Sequence, residues 1–538
     1  MNITLLDTTL RDGALTEDIN LSIPDKLRLA SLIDSLGVTY LEGGWPQVFE
    51  SDLEFFEQAA ELDLKAKLTV FGATRRPETR VDRDANLRLM LAASTPVVHL
   101  YGKVWTLHVE KVLRTTRKEN LAMLRDSVEF MKSHGKEVIF TAEHFFDGLR
   151  TDPGYALENI QVALEAGADV LSLGDSNGGA LPWEIEAGVK QVLQMAGGRP
   201  VGLHLHDDLG MALGNALAGV HAGATHVQGT VNGYGARTGI TDLTTLLPIL
   251  KLKMGQEVVS DEQLARLTRV AHQVAEIVGL GGEMAYKPVV GDKVFAHKTQ
   301  THVSAVLSDP EAYETIDPER VGNRRKLLIP GLTRPTYLQE IARRYGVDLS
   351  GDSVANARIL EVLRKLEEQG YTFEDAEASL ELRLGYLSGR FQPILEVERL
   401  RLFQVIRGRT QSVVEAALRA RVDGRAEYVA AEGEGPIDTL YRVILEALSV
   451  VENLDYRSYM QNVLVSAFRV RTLSSGGEDL RVRVSISMHD GQREWTTVGI
   501  DSDLIRAAWL ALVDGVEYGL LTRRRPDPDA GAAISSPS

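Results

Sequence analysis

Residues 37–44 read GVTYLEGG, residues 165–175 read EAGADVLSLGD and residues 221–230 read HAGATHVQGT. In each stretch a glycine closes a helical pattern and an apolar, strand-like run begins within three residues. This is a helix-to-strand joint in which glycine supplies the positive φ that the end of a helix requires. Working outward from these joints, strand-like runs recur at Ile3–Leu10, Tyr40–Gly44, Leu68–Gly72, Val97–Gly102, Val138–His144, Val170–Ser176, Val201–Asp207 and His226–Gly233. Amphipathic helical stretches such as Ile23–Leu36, Asn120–His134 and Leu157–Glu165 separate them. Eight βα units in succession predict an α/β fold, a (β/α)8 TIM barrel over residues 1–260. A doubly wound sheet is the rival, but it seldom needs eight regular units in a row.

After residue 260 the alternation stops. Residues 261–390 read as a helical subdomain, with helices at Asp261–Val278 and Val354–Gln369. Residues 391–522 read as a small α+β domain: strands at Leu400–Ile406, Val413–Val422, Val463–Arg471 and Leu480–Met488, helices at Ile437–Leu448 and Ser502–Leu520. The tail 523–538, rich in Pro, Ala and Ser, reads as disordered. A length of 538 residues accommodates these two or three domains.

Composition narrows the function classes. With 44% hydrophobic and 25% charged residues the chain is globular rather than fibrous or disordered. No apolar run approaches the roughly 18–20 residues of a membrane span, and the opening MNITLLDTTLRDG lacks the basic start of a signal peptide. A net charge of −16 argues against nonspecific nucleic-acid binding. There are no cysteines, so thiolate metal sites and disulfides are excluded and the cytoplasm is the expected compartment.

Reactive groups of a TIM barrel gather at the C-terminal ends of its strands. Those positions hold Asp7-Thr8-Thr9-Leu10-Arg11-Asp12-Gly13, Glu143-His144, Asp175-Ser176-Asn177, His204-Leu205-His206-Asp207-Asp208 and Asn232-Gly233-Tyr234-Gly235-Ala236-Arg237. His204 and His206 are two apart on a strand and point to one face. Alone, that spacing is weak. Asp12 adds an oxygen ligand, because strand 1 closes the ring against strand 8, which adjoins strand 7. Two histidines and one carboxylate suit Mg, Mn, Co, Fe or Zn with open coordination positions. Arg11 places a permanent cation beside that site, suited to a carboxylate or a developing oxyanion. Asp175 reads equally well as a structural hydrogen-bond acceptor.

Taken together, DTTLRDG at 7–13, YLEGGWP at 40–46, AEHFFDG at 142–148, SNGG at 176–179, HLHDDLG at 204–210 and NGYGARTG at 232–239 resemble the citramalate synthase branch of the 2-isopropylmalate and homocitrate synthase family. The likeness continues through FAHKTQTHVSAV at 295–306, IDPERVGN at 316–323, AEGEGP at 431–436 and WTTVG at 495–499. The resemblance implies a barrel, a helical subdomain and a C-terminal domain that binds a branched-chain amino-acid effector in many members. It implies a homodimer in which the helical subdomain covers the partner's active site. By position, Asp12, His204 and His206 correspond to the ligands of a divalent metal, and Arg11, Asp12 and Glu143 to substrate-binding residues. Arg11 and Glu143, with the subdomain pair His302 and Tyr313, correspond to catalytic residues, His302 being the preferred helper in proton removal. His297 in the same motif reads as structural.

The reaction so implied is a Claisen condensation of acetyl-CoA, or a related acyl-CoA, with pyruvate or another 2-oxo acid. A 2-oxo acid would chelate the metal through its ketone and carboxylate oxygens, a base would take a methyl proton from the thioester, and CoA would leave by hydrolysis. Several positions depart from the family pattern. Leu15 replaces a usual Gln, Ala236 a carboxylate, Ile240 an Asn that can ligate the metal, and Thr299-Gln300-Thr301 the usual glycines. These departures keep two alternatives in view: a metal-dependent lyase or aldolase on the same site, and a weakly active amino-acid-sensing homologue.

Overall fold

A computed structural model of the chain describes residues 3–328, 342–343, 345–347, 353–373, 376–407, 411–449, 456–473 and 480–523. Eight parallel strands close into a barrel in sequence order: β1 (Thr4–Asp7), β2 (Tyr40–Gly44), β3 (Lys67–Ala73), β4 (Val97–Lys103), β5 (Glu137–Glu143), β6 (Val170–Asp175), β7 (Val201–Leu205) and β8 (His226–Gly229). Strand β1 pairs with β8 over Thr4↔His226 to Asp7↔Gly229, which closes the ring. The TIM barrel expected from the alternation is therefore present, with each strand shifted from its sequence reading by a few residues at most at either end.

The joints behave as their sequence requires. Gly37, Gly167 and Gly223 have φ of 82°, 98° and 114°, the left-handed region that glycine adopts without strain. Helix starts are equally explicit: Ser22 caps Ile23–Asp34 by accepting from the Asp25 amide, Asp25 reciprocates toward the Ser22 backbone, and Pro24 stands in the first turn. Apolar faces of the outer helices cover the strands in one large core that includes Leu29, Ile33, Phe55, Leu87, Val128, Ile160 and Val189. Inside the barrel, Leu6, Tyr40, Val97, Ile139 and Val170 form a separate apolar floor. Above that floor the interior becomes polar, and there the candidate site begins.

One compact unit spans Met1–His297 and Thr301–Leu327; the other takes in Lys298–Gln300 and the described residues from Leu328 onward. In the first unit the helix expected at Asp261–Val278 is two helices, Asp261–Leu264 and Leu267–Ile277. The backbone of Gly322 comes against the Ala265 carbonyl at the break, so close that a Cβ at Gly322 would lie 2.2 Å from that oxygen.

The second unit carries two antiparallel three-stranded sheets, Leu395–Arg407 with Gln411–Val422 and Arg425–Gly433, and Leu464–Leu473 with Arg481–His489 and Glu494–Asp501. Each is followed by a helix, Pro436–Ser449 and Leu504–Thr522, and these helices share one core with the sheets. Arg425–Gly433 and Glu494–Asp501 are strands that the sequence reading did not include. Gly433 sits at a strand-to-helix turn, where a Cβ would lie 2.5 Å from Thr439 Oγ1. Of the tail, residues 524–538 lie outside the described residues.

Candidate active site

The barrel mouth brings Asp12, His204 and His206 together. One potential ligand atom from each lies within 4.8 Å of the others, and all three side chains are buried. Asp12 follows β1, in the turn where its amide donates to the Thr8 carbonyl. His204 stands on β7 and His206 just beyond it, their ring centroids 5.3 Å apart. His204 Nε2 is 3.5 Å from Asp12 Oδ2. On its other side His204 Nδ1 is 2.9 Å from Gln228 Oε1. His206 Nδ1 is buried and has no hydrogen-bond partner among the described residues. A buried imidazole nitrogen left without a partner is costly unless an ion or ligand takes it up. The donor set, two imidazoles and a carboxylate, is that of a divalent transition metal or Mg site with open positions, so these residues fit such an ion.

Electrostatics agree with that use. Burial works against ionisation of Asp12, but Arg11, then His204 and His206, hold its carboxyl well below the usual carboxylate range. Burial, reinforced by His204, pushes His206 down to about 4, so it is neutral near pH 7 and its lone pair is available.

Arg11 is buried and its orientation is fixed from three directions. Its Nε donates to Glu42 Oε2 at 2.6 Å and its Nη1 to Asp12 Oδ2 at 2.7 Å. Its Cζ lies 3.9 Å above the centre of the Phe71 ring, a stacking that suits a desolvated guanidinium. The third nitrogen, Nη2, has no partner among the described residues and is the donor left for a substrate oxygen. Glu143, at the end of β5, is paired with Lys103 Nζ at 2.5 Å, so a cation also borders that side.

Other residues singled out from sequence take different places. Asp175 accepts from the amides of Gly179 and Ala180, which makes it a loop-bracing acceptor. Arg237 forms a two-pronged pair with Asp208 and reaches the Ser176 carbonyl, tying the loops after β6, β7 and β8. His302 and Tyr313 pair with each other, ring centroids 4.1 Å apart. His297 is held by the buried Glu314 at 3.0 Å, as its structural reading expects. Thr315, two residues from Tyr313, accepts from Lys253 Nζ. Lys253 ends the helical segment that starts at Leu243 beside the end of β8. A helix of that length carries the chain roughly 15 Å away from the mouth, so Thr315 lies away from the mouth of its own barrel.

Two of the departures from the family pattern, Ala236 and Ile240, stand beside the Asp12 site. The backbone N–H of Ala236 donates to Asp12 Oδ1 at 3.2 Å. Ile240 is buried and bridges to His206. A Cβ on Gly235 would lie 3.2 Å from both Asp12 Oδ1 and Ile240 Cγ2, so an apolar side chain packs where a further ligand could have stood. Leu15 is 43% exposed at the rim.

Sequence reasoning missed Glu42 and His99, both buried in the polar layer and joined at 2.5 Å, with Thr141 and Gln228 beside them. A usable signal exists: each is a polar residue inside an otherwise apolar strand, at the inward phase of a period-2 pattern, as in Val97-Val98-His99-Leu100.

Residues 2–274 match the HMGL-like family, 289–370 the homocitrate synthase post-HMGL domain-like family, and 387–520 the LeuA allosteric (dimerisation) domain. The chain is 40% identical to an (R)-citramalate synthase of Aquifex aeolicus over 96% of its length and 97% of the relative's. It is 42% identical to the (R)-citramalate synthase of Streptomyces coelicolor over 96% of both chains, and 40% identical to that of Synechocystis sp., again over 96% of both. With such identity sustained from end to end, and with an HMGL-like barrel covering half of the chain, this protein belongs to the (R)-citramalate synthase family.

Proposed function

We propose that this chain condenses acetyl-CoA with pyruvate, releasing CoA and forming citramalate. The observation that carries the reading is the buried Asp12–His204–His206 cluster with Arg11 locked beside it at the barrel mouth, in a chain whose full-length relatives are named (R)-citramalate synthase.

Asp12, His204 and His206 would hold a divalent ion, which would supply Lewis acidity toward the ketone of the 2-oxo acid. Arg11 Nη2 binds the substrate carboxylate or the oxygen on which charge develops, and its stacking on Phe71 keeps it there without reorganisation. The methyl carbon of the thioester loses a proton and bonds to the ketone carbon, whose C=O opens and whose oxygen takes up a proton to become a hydroxyl; water then cleaves the thioester, leaving a carboxylate and releasing CoA as the thiol. His302, against Tyr313, is the group assigned to assist that proton removal. Glu143, braced by Lys103, borders the acceptor. Thr315, two residues from Tyr313, bonds to Lys253 away from the mouth, which supports a reading in which the His302–Tyr313 pair serves the mouth of a second copy and the active unit is a homodimer. The LeuA-type domain at 387–520 supports this and adds a branched-chain amino acid as inhibitor.

The test is thiol release from acetyl-CoA with pyruvate, 2-oxoisovalerate and 2-oxoglutarate offered separately. The chain itself has no cysteine and gives no background thiol. Pyruvate should support the fastest release, with citramalate formed in equal amount. No release with any oxo acid, together with cleavage of a hydroxy acid, would replace this reading by the lyase.

A further inference from the structure

Below the metal cluster the barrel interior holds a closed circuit of polar side chains from six strands or their ends. From Asp12 it runs through Arg11 to Glu42 (2.7 and 2.6 Å), through His99 to Thr141 (2.5 and 2.6 Å), to Gln228 (3.5 Å) and to His204 (2.9 Å). It closes at Asp12 (3.5 Å). All these side chains are buried. A circuit of this kind has a direction, because each hydroxyl, amide and imidazole must donate on one side and accept on the other.

Two independent lines fix that direction at Gln228. On the first, His99 Nδ1 faces the Glu42 carboxylate, which can only accept, so the proton is on Nδ1 and Nε2 accepts from the Thr141 hydroxyl. Thr141 Oγ1 is then left to accept from the Gln228 amide nitrogen. On the second, the Thr4 hydroxyl donates to the Thr225 carbonyl at 3.2 Å and so accepts from His226 Nδ1 at 3.0 Å. His226 Nε2 is thereby an acceptor, 3.4 Å from the same Gln228 nitrogen. With both neighbours of its nitrogen accepting, the amide is held with Oε1 toward His204. An amide oxygen accepts only, so His204 carries its proton on Nδ1 and presents a bare Nε2 to Asp12 and the ion.

We propose that Gln228 is a positioning residue that sets the tautomer of His204 for metal binding, its own orientation dictated by Thr141 and His226. The inference rests on the metal reading of the Asp12–His204–His206 cluster. A histidine ligand is committed to one tautomer by the group on its far nitrogen, and losing that group typically weakens metal affinity about 10–100-fold. Here a neutral amide does this work, and the amide is in turn locked by a threonine and a second histidine that do not touch the ion.

The measurement is divalent-ion affinity of the full-length protein, by competition of Mn2+ or Zn2+ against a chromophoric chelator. Gln228→Met, similar in shape but without the acceptor, should bind about tenfold more weakly or worse. Equal affinity of Gln228→Met and native protein overturns the proposal. If the native protein itself binds no divalent ion, it is the metal reading that fails. A neutron structure of the metal-free native protein needs no variant: a deuteron on His204 Nδ1 is expected, and one on Nε2 instead overturns the assignment even if Gln228→Met does not fold.

Discussion

Replacing Glu42 by Gln removes one negative charge from the barrel interior and leaves the shape of the side chain unchanged. Glu42 is fully buried and accepts from Thr8 Oγ1 at 2.5 Å, Arg11 Nε at 2.6 Å and His99 Nδ1 at 2.5 Å. Burial opposes its ionisation, yet Arg11 and then His99 outweigh burial and bring its carboxyl from the ordinary 4.5 to about 2. By linkage that difference amounts to about 3 kcal/mol of native stability at neutral pH. Converting three bonds to a carboxylate into neutral ones, at about 1 kcal/mol each, gives a similar figure.

The sign follows from a depressed native pKa. The contribution is complete above about pH 4.5 and is lost as pH falls through about 2. Urea unfolding of Glu42→Gln, followed by tryptophan fluorescence, should therefore show a loss of about 3 kcal/mol at pH 7, or a midpoint about 1 M lower for a slope near 3 kcal/mol per molar. At pH 3.5 the gap should narrow to about 2 kcal/mol. Trp45 packs edge-on against Phe71, the ring under Arg11, and reports locally. Coincident urea curves at pH 7, or a gap that widens on acidification, would refute the view that Glu42 is an ionised anchor for Arg11.

Removal of a metal ligand by Asp12→Ala or His204→Ala should lower divalent-ion affinity by more than about 100-fold and abolish thiol release, measured by calorimetry and with a thiol reagent. Exhaustive chelation should stop native turnover, and added Mn2+ or Mg2+ should restore it; undiminished turnover after chelation contradicts the site. Mixing two inactive variants, Arg11→Leu and His302→Ala, and allowing subunits to exchange should recover about a quarter of native activity, because half of the dimers regain one intact site; no recovery means that His302 serves its own barrel. Burial pushes Asp7 up to about 7 from 3.8, so the native state keeps a proton that the unfolded chain has released, and stability falls as pH rises from about 4 to about 7. Asp7→Asn should thus gain about 2–3 kcal/mol relative to native protein between pH 5 and pH 8, read from urea midpoints.

Residue order alone was enough for the barrel and for the three candidate ligands. A glycine with positive φ at helix-to-strand joints such as Gly37, Gly167 and Gly223, and a period of two within a strand, are local properties, written in neighbours such as Gly167 and Val170, or His204 and His206. Asp12 became legible once closure of the ring was assumed, because closure brings β1 beside β8. The strands Arg425–Gly433 and Glu494–Asp501 escaped because neither shows a clean period of two: Tyr428-Val429-Ala430-Ala431 run together, and Trp495 and Val498 are separated by two threonines. Tertiary structure alone decided how Arg11 is aimed, which residues brace it, and that His302 and Tyr313 meet ring to ring. Arg11 meets Glu42 across 31 positions, His99 meets Thr141 across 42, and Gln228 meets His204 across 24. The direction of a hydrogen bond depends on what its partner already donates, so a circuit drawn from distant strands has no sense until closure of the barrel sets its members side by side.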